Sequence, residues 1–470
     1  MAESASSPLS VSALCPLPSA LRYTTLRTVR SLEATASSRG RLLTVLGVGF
    51  GLAITIGNAV GAGILRTPGS IAAHLQTFWP FMAIWIGGAL YALLGSNALA
   101  ELGTLVQRSG GQYVFVRHAL GDYPGLIVGW SDWISTCGTT AAVAIVIGEY
   151  TVGLIPEART HQVVALAVVA VLTIVQWIGI RAGGTTQNVT SLMKAGGLLA
   201  FVAACFWLGS RVPWASTVAT TDREETLMLA VILSLQAVIY TYDGWSAIIY
   251  FSGEVKNAGR DIPRSMLGGV ASVAILYLLI NVAFLCVVSL PTIAGSDLAA
   301  GIVSERLFGT RADVALRILG IVILLSAVNS NVLMAPRVLH AMSNDGLFWR
   351  AAREVNRGGT PDVALLISSL LAAGFIVTNT FDTVISKLAF FFVANYALSF
   401  TALFVLRRRE PDAPRPYRAW GHPWTTGLAL LLSLAFLGGA VASDTRSSLW
   451  SLGLLALTVP VYFAVRKASR

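Results

Sequence analysis

Charged residues are scarce in this sequence, since Asp, Glu, Lys and Arg together make up 12% of its 470 residues. Soluble globular proteins contain about 25% of these residues, so the composition excludes an ordinary soluble domain. Hydrophobic residues make up 55% of the chain and fall in long runs. The sequence therefore predicts a polytopic membrane protein.

Cysteine and histidine are also rare, with four and five copies respectively. The four cysteines (Cys15, Cys137, Cys205 and Cys286) stand singly, which excludes a disulfide framework and the spacing of a zinc site. No HExxH motif or Ser–His pair falls within an apolar run, so we expect neither a metal site nor a membrane-embedded enzyme. No phosphate-binding P-loop is present, which argues against an ATP-driven pump. We expect no cofactor.

Residues 1–41 contain no sustained apolar run and no signal-peptide pattern, and we expect them to form a disordered cytoplasmic tail. Twelve apolar runs of about 18–28 residues follow, each long enough to cross the hydrocarbon core of a bilayer. The predicted spans are 42–70, 79–106, 125–154, 161–181, 189–209, 227–252, 266–290, 313–342, 362–380, 383–406, 424–443 and 447–466.

Lys and Arg are concentrated in alternate connections between these spans. The N-terminal tail, the loops after spans 2, 4, 6, 8 and 10, and the C-terminus are basic, whereas the other loops are mixed in sign. Because cytoplasmic loops carry the excess of Lys and Arg, both termini are predicted to be cytoplasmic, in a protein of the cytoplasmic (bacterial inner) membrane. This distribution also accounts for the net charge of +10. We therefore expect contact with membrane lipid and no binding of nucleic acid.

Two predicted spans contain residues that break helices. Span 1 contains the glycine-rich stretch 57–64, and span 6 contains Asp243 and Gly244 within the stretch 237–246. A broken helix at membrane depth frees N–H and C=O groups that protein, water or a bound solute must satisfy, which indicates a binding site. Close helix packing is the alternative interpretation of the glycines in span 1.

Spans 1 and 6 are five spans apart and therefore cross the membrane in opposite senses, a pattern typical of inverted-repeat transporters. We expect the first repeat to comprise spans 1–5 (42–210) and the second to comprise spans 6–10 (227–407). Two additional spans and a short cytoplasmic C-terminus would occupy 420–470.

Five groups of residues, in order along the chain, resemble motifs of the amino acid–polyamine–organocation superfamily. They are GNAVGAGILRTPG (57–69), AELG (100–103) with SGGQY (109–113), YDGW (242–245) with EVKN (254–257) and RDIPR (260–264), NDGL (344–347) with GTP (359–361), and RPYR (415–418). Within the superfamily the sequence is similar to bacterial amino acid permeases and to light-chain amino acid exchangers. Ala62 and Leu65 depart from the Ser and Phe that many relatives carry.

The resemblance implies an all-α membrane protein with about twelve transmembrane helices in a LeuT-like 5+5 inverted repeat, broken helices 1 and 6, and two additional C-terminal helices. It also implies a secondary active transporter of amino acids or related amines that works by alternating access. A nutrient receptor built on the same scaffold ranks below a transporter, because a large soluble sensor domain is not apparent.

An amino acid is a zwitterion, so a buried site must neutralise both of its charged ends. The second half of span 1 begins with the N–H groups of Gly61, Ala62, Gly63 and Ile64, which the helix dipole directs at a carboxylate. By resemblance, the carbonyl groups of Ala59, Tyr240, Thr241 and Asp243 accept from the ammonium group, and Gly244 permits the unwinding. Asn58 is either a further contact or bonded within its own span.

The resemblance also assigns roles to side chains. Tyr240 matches the aromatic gate that closes over the substrate, with core packing as the alternative. Ser135, Thr136 and Thr140 align with positions that line the side-chain pocket, and their small, mildly polar side chains favour a neutral or medium-sized substrate side chain.

Lys194 lies within apolar span 5 and, by resemblance, takes the place of the sodium ion of sodium-coupled relatives, where it would brace span 1 against span 8. We expect it to be the coupling residue, because desolvation disfavours its charged form and it could therefore exchange a proton during the cycle. The alternative is a lysine that extends to the membrane surface. We favour proton-coupled transport, with sodium-independent exchange of amino acids or polyamines as the alternative.

Overall fold

The computed structural model describes residues 40–155, 160–209, 227–378 and 381–443, together with Gly453. Within these residues the chain forms fifteen α-helices and no strand. The helices are α1 Val48–Ala59, α2 Gly63–His74, α3 Phe78–Leu105, α4 Gln112–Leu120, α5 Asp122–Leu154, α6 His161–Ile178, α7 Ile180–Leu208, α8 Leu227–Tyr242, α9 Ala258–Val287, α10 Leu290–Ile293, α11 Ala299–Phe308, α12 Ala312–Asn344, α13 Asp362–Thr378, α14 Phe381–Arg409 and α15 Trp424–Ser443. Short 3₁₀ helices lie at Ala247–Phe251, Gly309–Arg311 and Arg350–Arg353.

Nine of the described helical segments are long and apolar enough to cross a membrane, and the bent pair α1 and α2 makes a tenth span if it is counted as one. The shorter apolar helix α13 coincides with the predicted ninth span. The prediction of an all-α polytopic membrane protein is thus confirmed. The predicted twelfth span at 447–466 and nearly all of the predicted tail lie outside the described residues.

Helix α12 is at the centre of the bundle, where it packs against α5, α7, α13 and α1. Every residue from Ser326 to Ser343 is buried. Helices α1 and α9 approach each other closely because the residues between them are small. A Cβ atom added at Gly51 would lie only 2.0 Å from Ser265 Oγ. In a bilayer, such close backbone approach is a main source of helix–helix association.

The first and sixth predicted spans are both broken. Helices α1 and α2 are bent by 45° at residues 60–62. Helix α8 ends at Tyr242, and after a turn the segment continues as the 3₁₀ helix Ala247–Phe251. The N–H of Leu46, which precedes α1, donates to the carbonyl of Glu254, which follows that 3₁₀ helix, at 3.0 Å. The start of one broken segment therefore meets the end of the other, and the two run in opposite directions.

The loops rich in Lys and Arg meet at one end of the bundle, which we call the basic end. There Asp345, after α12, is 2.9 Å from Arg108 and 3.2 Å from Arg117. The fully buried Glu101 of α3 is 2.6 Å from Arg407 and 3.0 Å from Arg415. These ion pairs tie the loops after α3, α12 and α14 together on one side of the broken helices.

Candidate functional site

The two helix breaks touch each other near the middle of the bundle. Gly244 has a φ of +104°, and a Cβ atom there would lie 2.8 Å from the backbone N of Ala59. A residue with a side chain would be both strained and too large at this position. Gly244 therefore allows the turn of the sixth span to sit directly on the break of the first.

A cavity of about 110 Å³ opens where the breaks meet. A single water molecule needs about 10–15 Å³ on a comparable measure, so the cavity can hold a small solute. Its lining residues are Asn58, Ala59, Gly61, Ala62, Gly63, Gln112, Thr136, Thr139, Val143, Tyr240, Thr241, Asp243, Gly244, Ser246, Tyr250, Ala327, Asn331, Met334, Phe392 and Tyr396.

Most of the site residues expected from the sequence line this cavity. They are Asn58, Ala59, Gly61, Ala62, Gly63, Thr136, Tyr240, Thr241, Asp243 and Gly244. Three others, namely Ile64, Ser135 and Thr140, are buried outside the lining.

The rotation of α5 about its axis explains why two of the expected pocket residues do not line the cavity. Thr136, Thr139 and Val143 line the cavity, and their spacing of three and four residues places them on one face of the helix. Ser135 and Thr140 lie beside that face, and their hydroxyls donate to α5 carbonyls at 3.0 and 2.9 Å.

One wall of the cavity carries free backbone N–H groups. Helix α2 begins at Gly63, and its preceding residue, Ala62, has no side chain that could cap it. The first N–H groups of an α-helix have no partner inside the helix, and the dipole makes this end partly positive. A Cβ atom at Gly61 would meet nothing within 4 Å. This wall is therefore suited to an anionic group such as a carboxylate.

Carbonyl oxygens at the two breaks lie close to Tyr277 of α9. Its hydroxyl is 2.9 Å from the carbonyl oxygen of Ala59 and 3.0 Å from that of Thr241. The carbonyl of Tyr240 accepts from the N–H of Asp243 at 3.1 Å. The single hydroxyl proton of Tyr277 is therefore shared between two carbonyls, one from each broken span, and an ammonium group would supply the donors that they still lack.

Replacement of Tyr277 by phenylalanine should weaken transport and stability together. Removing the hydroxyl leaves the two buried carbonyls without this donor, at a cost of about 1–3 kcal/mol. The matched control is Tyr242→Phe, because the structure gives the buried Tyr242 hydroxyl no hydrogen-bond partner within the described ranges. Thermal unfolding and vesicle uptake of both variants check this expectation. Equal unfolding temperatures and equal uptake rates for the two variants would show that the Tyr277 hydroxyl does not hold the two broken spans together.

Lys194 caps the other end of the break in the first span. Its ammonium group is 2.6 Å from the carbonyl oxygen of Gly57 and 2.5 Å from that of Val60. The side chain is fully buried, so it does not extend to the membrane surface. A cation at the C-terminal end of α1 is favoured by the helix dipole and replaces the donors that the break removes. Among the salt bridges of the described residues, none involves Lys194.

Two tyrosines of the cavity lining donate hydrogen bonds to buried carboxyl groups. The Tyr396 hydroxyl of α14 donates to Asp243 Oδ1 at 2.7 Å, and its ring stacks on Trp245 at a centroid distance of 4.7 Å. The Tyr250 hydroxyl donates to Asp132 Oδ1 of α5 at 2.6 Å. Sequence reasoning missed Asp132, Tyr250 and Tyr396. A carboxyl group in an apolar run was a usable signal for Asp132, but nothing local to either tyrosine distinguishes it from a core aromatic.

A buried ion pair lies between the cavity and the basic end. Arg337 Nη2 is 3.1 Å from Glu254 Oε2, and Arg337 Nε is 3.2 Å from Glu254 Oε1. Ser109 Oγ donates to the same carboxylate at 3.2 Å. Glu254 lies four residues after the cavity residue Tyr250, and Arg337 lies three after Met334. The pair thus joins the end of the sixth span to α12.

Comparison with known proteins gives a consistent result over most of the chain. The amino acid permease family model matches residues 49–462. The serine/threonine exchanger SteT of Bacillus subtilis is 26% identical over 428 residues, which cover 90% of this chain and 97% of that protein.

Mammalian transporters are similar over a comparable length. The human b(0,+)-type amino acid transporter 1 is 24% identical over 405 residues, covering 83% of this chain and 81% of that protein. The mouse large neutral amino acids transporter small subunit 2 is 25% identical over 469 residues, covering 92% of this chain and 83% of that protein. All three are named for amino acid exchange or transport.

Proposed function

The chain belongs to the amino acid permease family, and from this premise we propose that it carries small neutral amino acids across the cytoplasmic membrane by sodium-independent, proton-coupled alternating access. The cavity at the junction of the two broken helices carries this proposal. It presents helix N-terminal N–H groups on one wall and adjoins the backbone carbonyls at the two breaks, and these groups match the carboxylate and ammonium groups of an amino acid.

The proposed substrates are small neutral amino acids with serine as the representative. The part of the cavity away from the helix breaks is lined by uncharged polar groups of Gln112, Thr136, Thr139 and Asn331. These groups can bond a hydroxyl but offer no counter-charge to an ionic side chain. The printed name of the Bacillus subtilis relative, a serine/threonine exchanger, supports the same substrate class.

We place the basic end in the cytoplasm, and the chain in the bacterial inner membrane with both termini cytoplasmic. Loops that connect α3 to α5, α12 to α13 and α14 to α15 supply the Arg residues at this end, as the distribution of positive charge in membrane proteins requires. In this orientation the Glu254–Arg337 pair closes the cavity toward the cytoplasm. It must separate when the cavity opens inward, and the two five-span repeats (42–210 and 227–407) would move relative to each other.

Exchange is the second candidate mechanism, and the name of the Bacillus subtilis relative favours it. Vesicles reconstituted with the purified protein distinguish the two. Uptake of labelled L-serine should rise with an inward proton gradient and should not change when choline replaces sodium. Uptake that increases with the serine concentration inside the vesicles and does not depend on pH would establish exchange. A strict requirement for sodium would contradict both proton-coupled transport and sodium-independent exchange.

Truncation of Tyr240 to alanine should raise KM for L-serine and slow its transport. Tyr240 lines the cavity beside the break of the sixth span, where its ring would cover the bound substrate and exclude water. One large aromatic contact is worth about 1–3 kcal/mol, which corresponds to a rise in KM of about fivefold to 150-fold. Initial uptake rates over a range of serine concentrations measure the effect, and unchanged kinetics would assign the ring to packing alone.

A further inference from the structure

A second carboxyl group lies beside the cavity, in addition to Asp243 of its lining. Asp132 of α5 is 2% exposed, and its Oδ1 accepts a hydrogen bond from the Tyr250 hydroxyl at 2.6 Å. Its Oδ2 is buried and has no hydrogen-bond partner among the described residues. Tyr250 lines the cavity, so the carboxyl group is one hydroxyl away from the substrate space.

No cation compensates a charge on Asp132 in the part of the chain that the structure describes. Among the described residues, the groups that act on the Asp132 carboxyl are Tyr250, through its hydrogen bond, and Asp243, through its charge, and neither is a cation. Arg337, a buried arginine of the helix α12 that packs against α5, is already held by both carboxylate oxygens of Glu254.

A carboxylate buried with one hydrogen bond and no counter-ion is costly, whereas the protonated acid is not. The unpartnered Oδ2 is the atom that would carry the proton. Opening of the cavity toward the basic end separates the Glu254–Arg337 pair and admits water. Hydration then lowers the cost of the carboxylate, and Asp132 can release its proton to a water molecule, which becomes hydronium.

We propose that Asp132, bonded to the cavity through Tyr250, is the proton-binding group that couples transport to the proton gradient. This assignment rests on the proposed proton-coupled transport of amino acids. It adds to the role of Lys194, which holds the carbonyls of the first break and need not change protonation during the cycle. Tyr250 is a positioning residue that connects the carboxyl group to the occupancy of the cavity.

The test compares wild type with Asp132→Asn, which preserves the size and shape of the side chain. The proteins are reconstituted into vesicles that contain a pH-sensitive dye, and L-serine is added outside. Serine should acidify the vesicles that carry wild type, and Asp132→Asn should lose this acidification by about tenfold or more, a change well above the scatter of such assays. Asp132→Glu should retain it.

Exchange of labelled serine at equal concentration on both sides requires no net proton movement, so Asp132→Asn should perform it at close to the wild-type rate. Asp261→Asn is the matched control, because Asp261 is also a buried carboxyl group but is paired with Arg260 outside the cavity. It should keep both activities.

Infrared spectroscopy tests the protonation of Asp132 directly. In the absence of serine, wild type should show the carbonyl band of a protonated carboxylic acid, and Asp132→Asn should lack this band.

The outcomes are separable. Acidification that persists in Asp132→Asn would overturn the role of Asp132 while leaving proton coupling intact. Serine transport by wild type without acidification would overturn proton coupling itself, and the assignment of Asp132 with it. Loss of exchange as well as acidification in both Asp132 variants would show that the residue supports binding or folding, and would equally contradict the proposal.

Discussion

Replacement of Gly61 by valine should abolish binding and uptake of amino acids while leaving the protein folded. A Cβ atom at Gly61 meets nothing within 4 Å and would extend into the cavity. The side chain would therefore keep a carboxylate away from the N–H groups at the start of α2 without disturbing any helix contact. Each hydrogen bond to a charged group contributes about 1.5–3 kcal/mol, so even one lost bond lowers affinity by about tenfold to a hundredfold.

The matched control for this substitution is Gly49→Val, in the first half of the same broken span. Gly49 is exposed, and a Cβ atom there also meets nothing within 4 Å. Expression, size-exclusion profile and unfolding temperature should be similar for both variants, and only Gly61→Val should lose uptake. Gly63 is a poorer choice, because a Cβ atom there would lie 3.0 Å from Thr241 Cγ2 and would disturb packing. Normal uptake by Gly61→Val would show that the substrate carboxylate does not bind to the N–H groups at the start of α2.

Replacement of Lys194 by alanine should reduce transport by about a hundredfold or more and lower the unfolding temperature. The ammonium group makes hydrogen bonds of 2.6 and 2.5 Å to the carbonyls of Gly57 and Val60, and each charge-assisted bond of this kind contributes about 1.5–3 kcal/mol. Without it the end of α1 loses the donor that fixes the shape of the break. Uptake of L-serine and thermal unfolding check the two effects.

Met193→Ala is the control for Lys194→Ala, since Met193 is adjacent, shortened by the same substitution and 54% exposed on the outside of the bundle. If the ammonium group takes the place of a sodium ion, wild-type uptake should be the same in sodium and in choline. A transport rate close to wild type in Lys194→Ala would show that the break needs no cation there.

The position of the site could be predicted because breaks in membrane helices are costly and use few residue types. Gly61, Gly63, Asp243 and Gly244 each stand out in an apolar run, and all of them line the cavity. The alternative interpretation, close packing, applies to another glycine of the same stretch. A Cβ atom at Gly57 would lie 2.1 Å from Gln187 Nε2 of α7, so this residue serves helix contact.

Residues that reach the site from distant parts of the chain could not be identified in this way. Tyr277 and Tyr396 act on groups 36 to 218 positions away in sequence, and aromatic residues are common in any membrane core. The choice between Thr139 and Thr140 depends on the rotation of α5, which the polar character of both residues leaves open. Lys194 was identified because a charge in an apolar span requires a specific partner.

Ligand-induced stabilisation of the purified protein tests the central claim most directly, because a ligand that binds only the folded state raises its stability by mass action. The unfolding temperature should be measured with each amino acid, with common polyamines, and with serinamide, ethanolamine and N-acetyl-L-serine, which lack a free carboxylate or a free amine. We expect L-serine or another small neutral amino acid to raise it in wild type and Gly49→Val but not in Gly61→Val, and the three analogues to have no effect. An equal shift in Gly61→Val, or with the carboxylate-free analogues, would contradict binding at the junction of the broken helices.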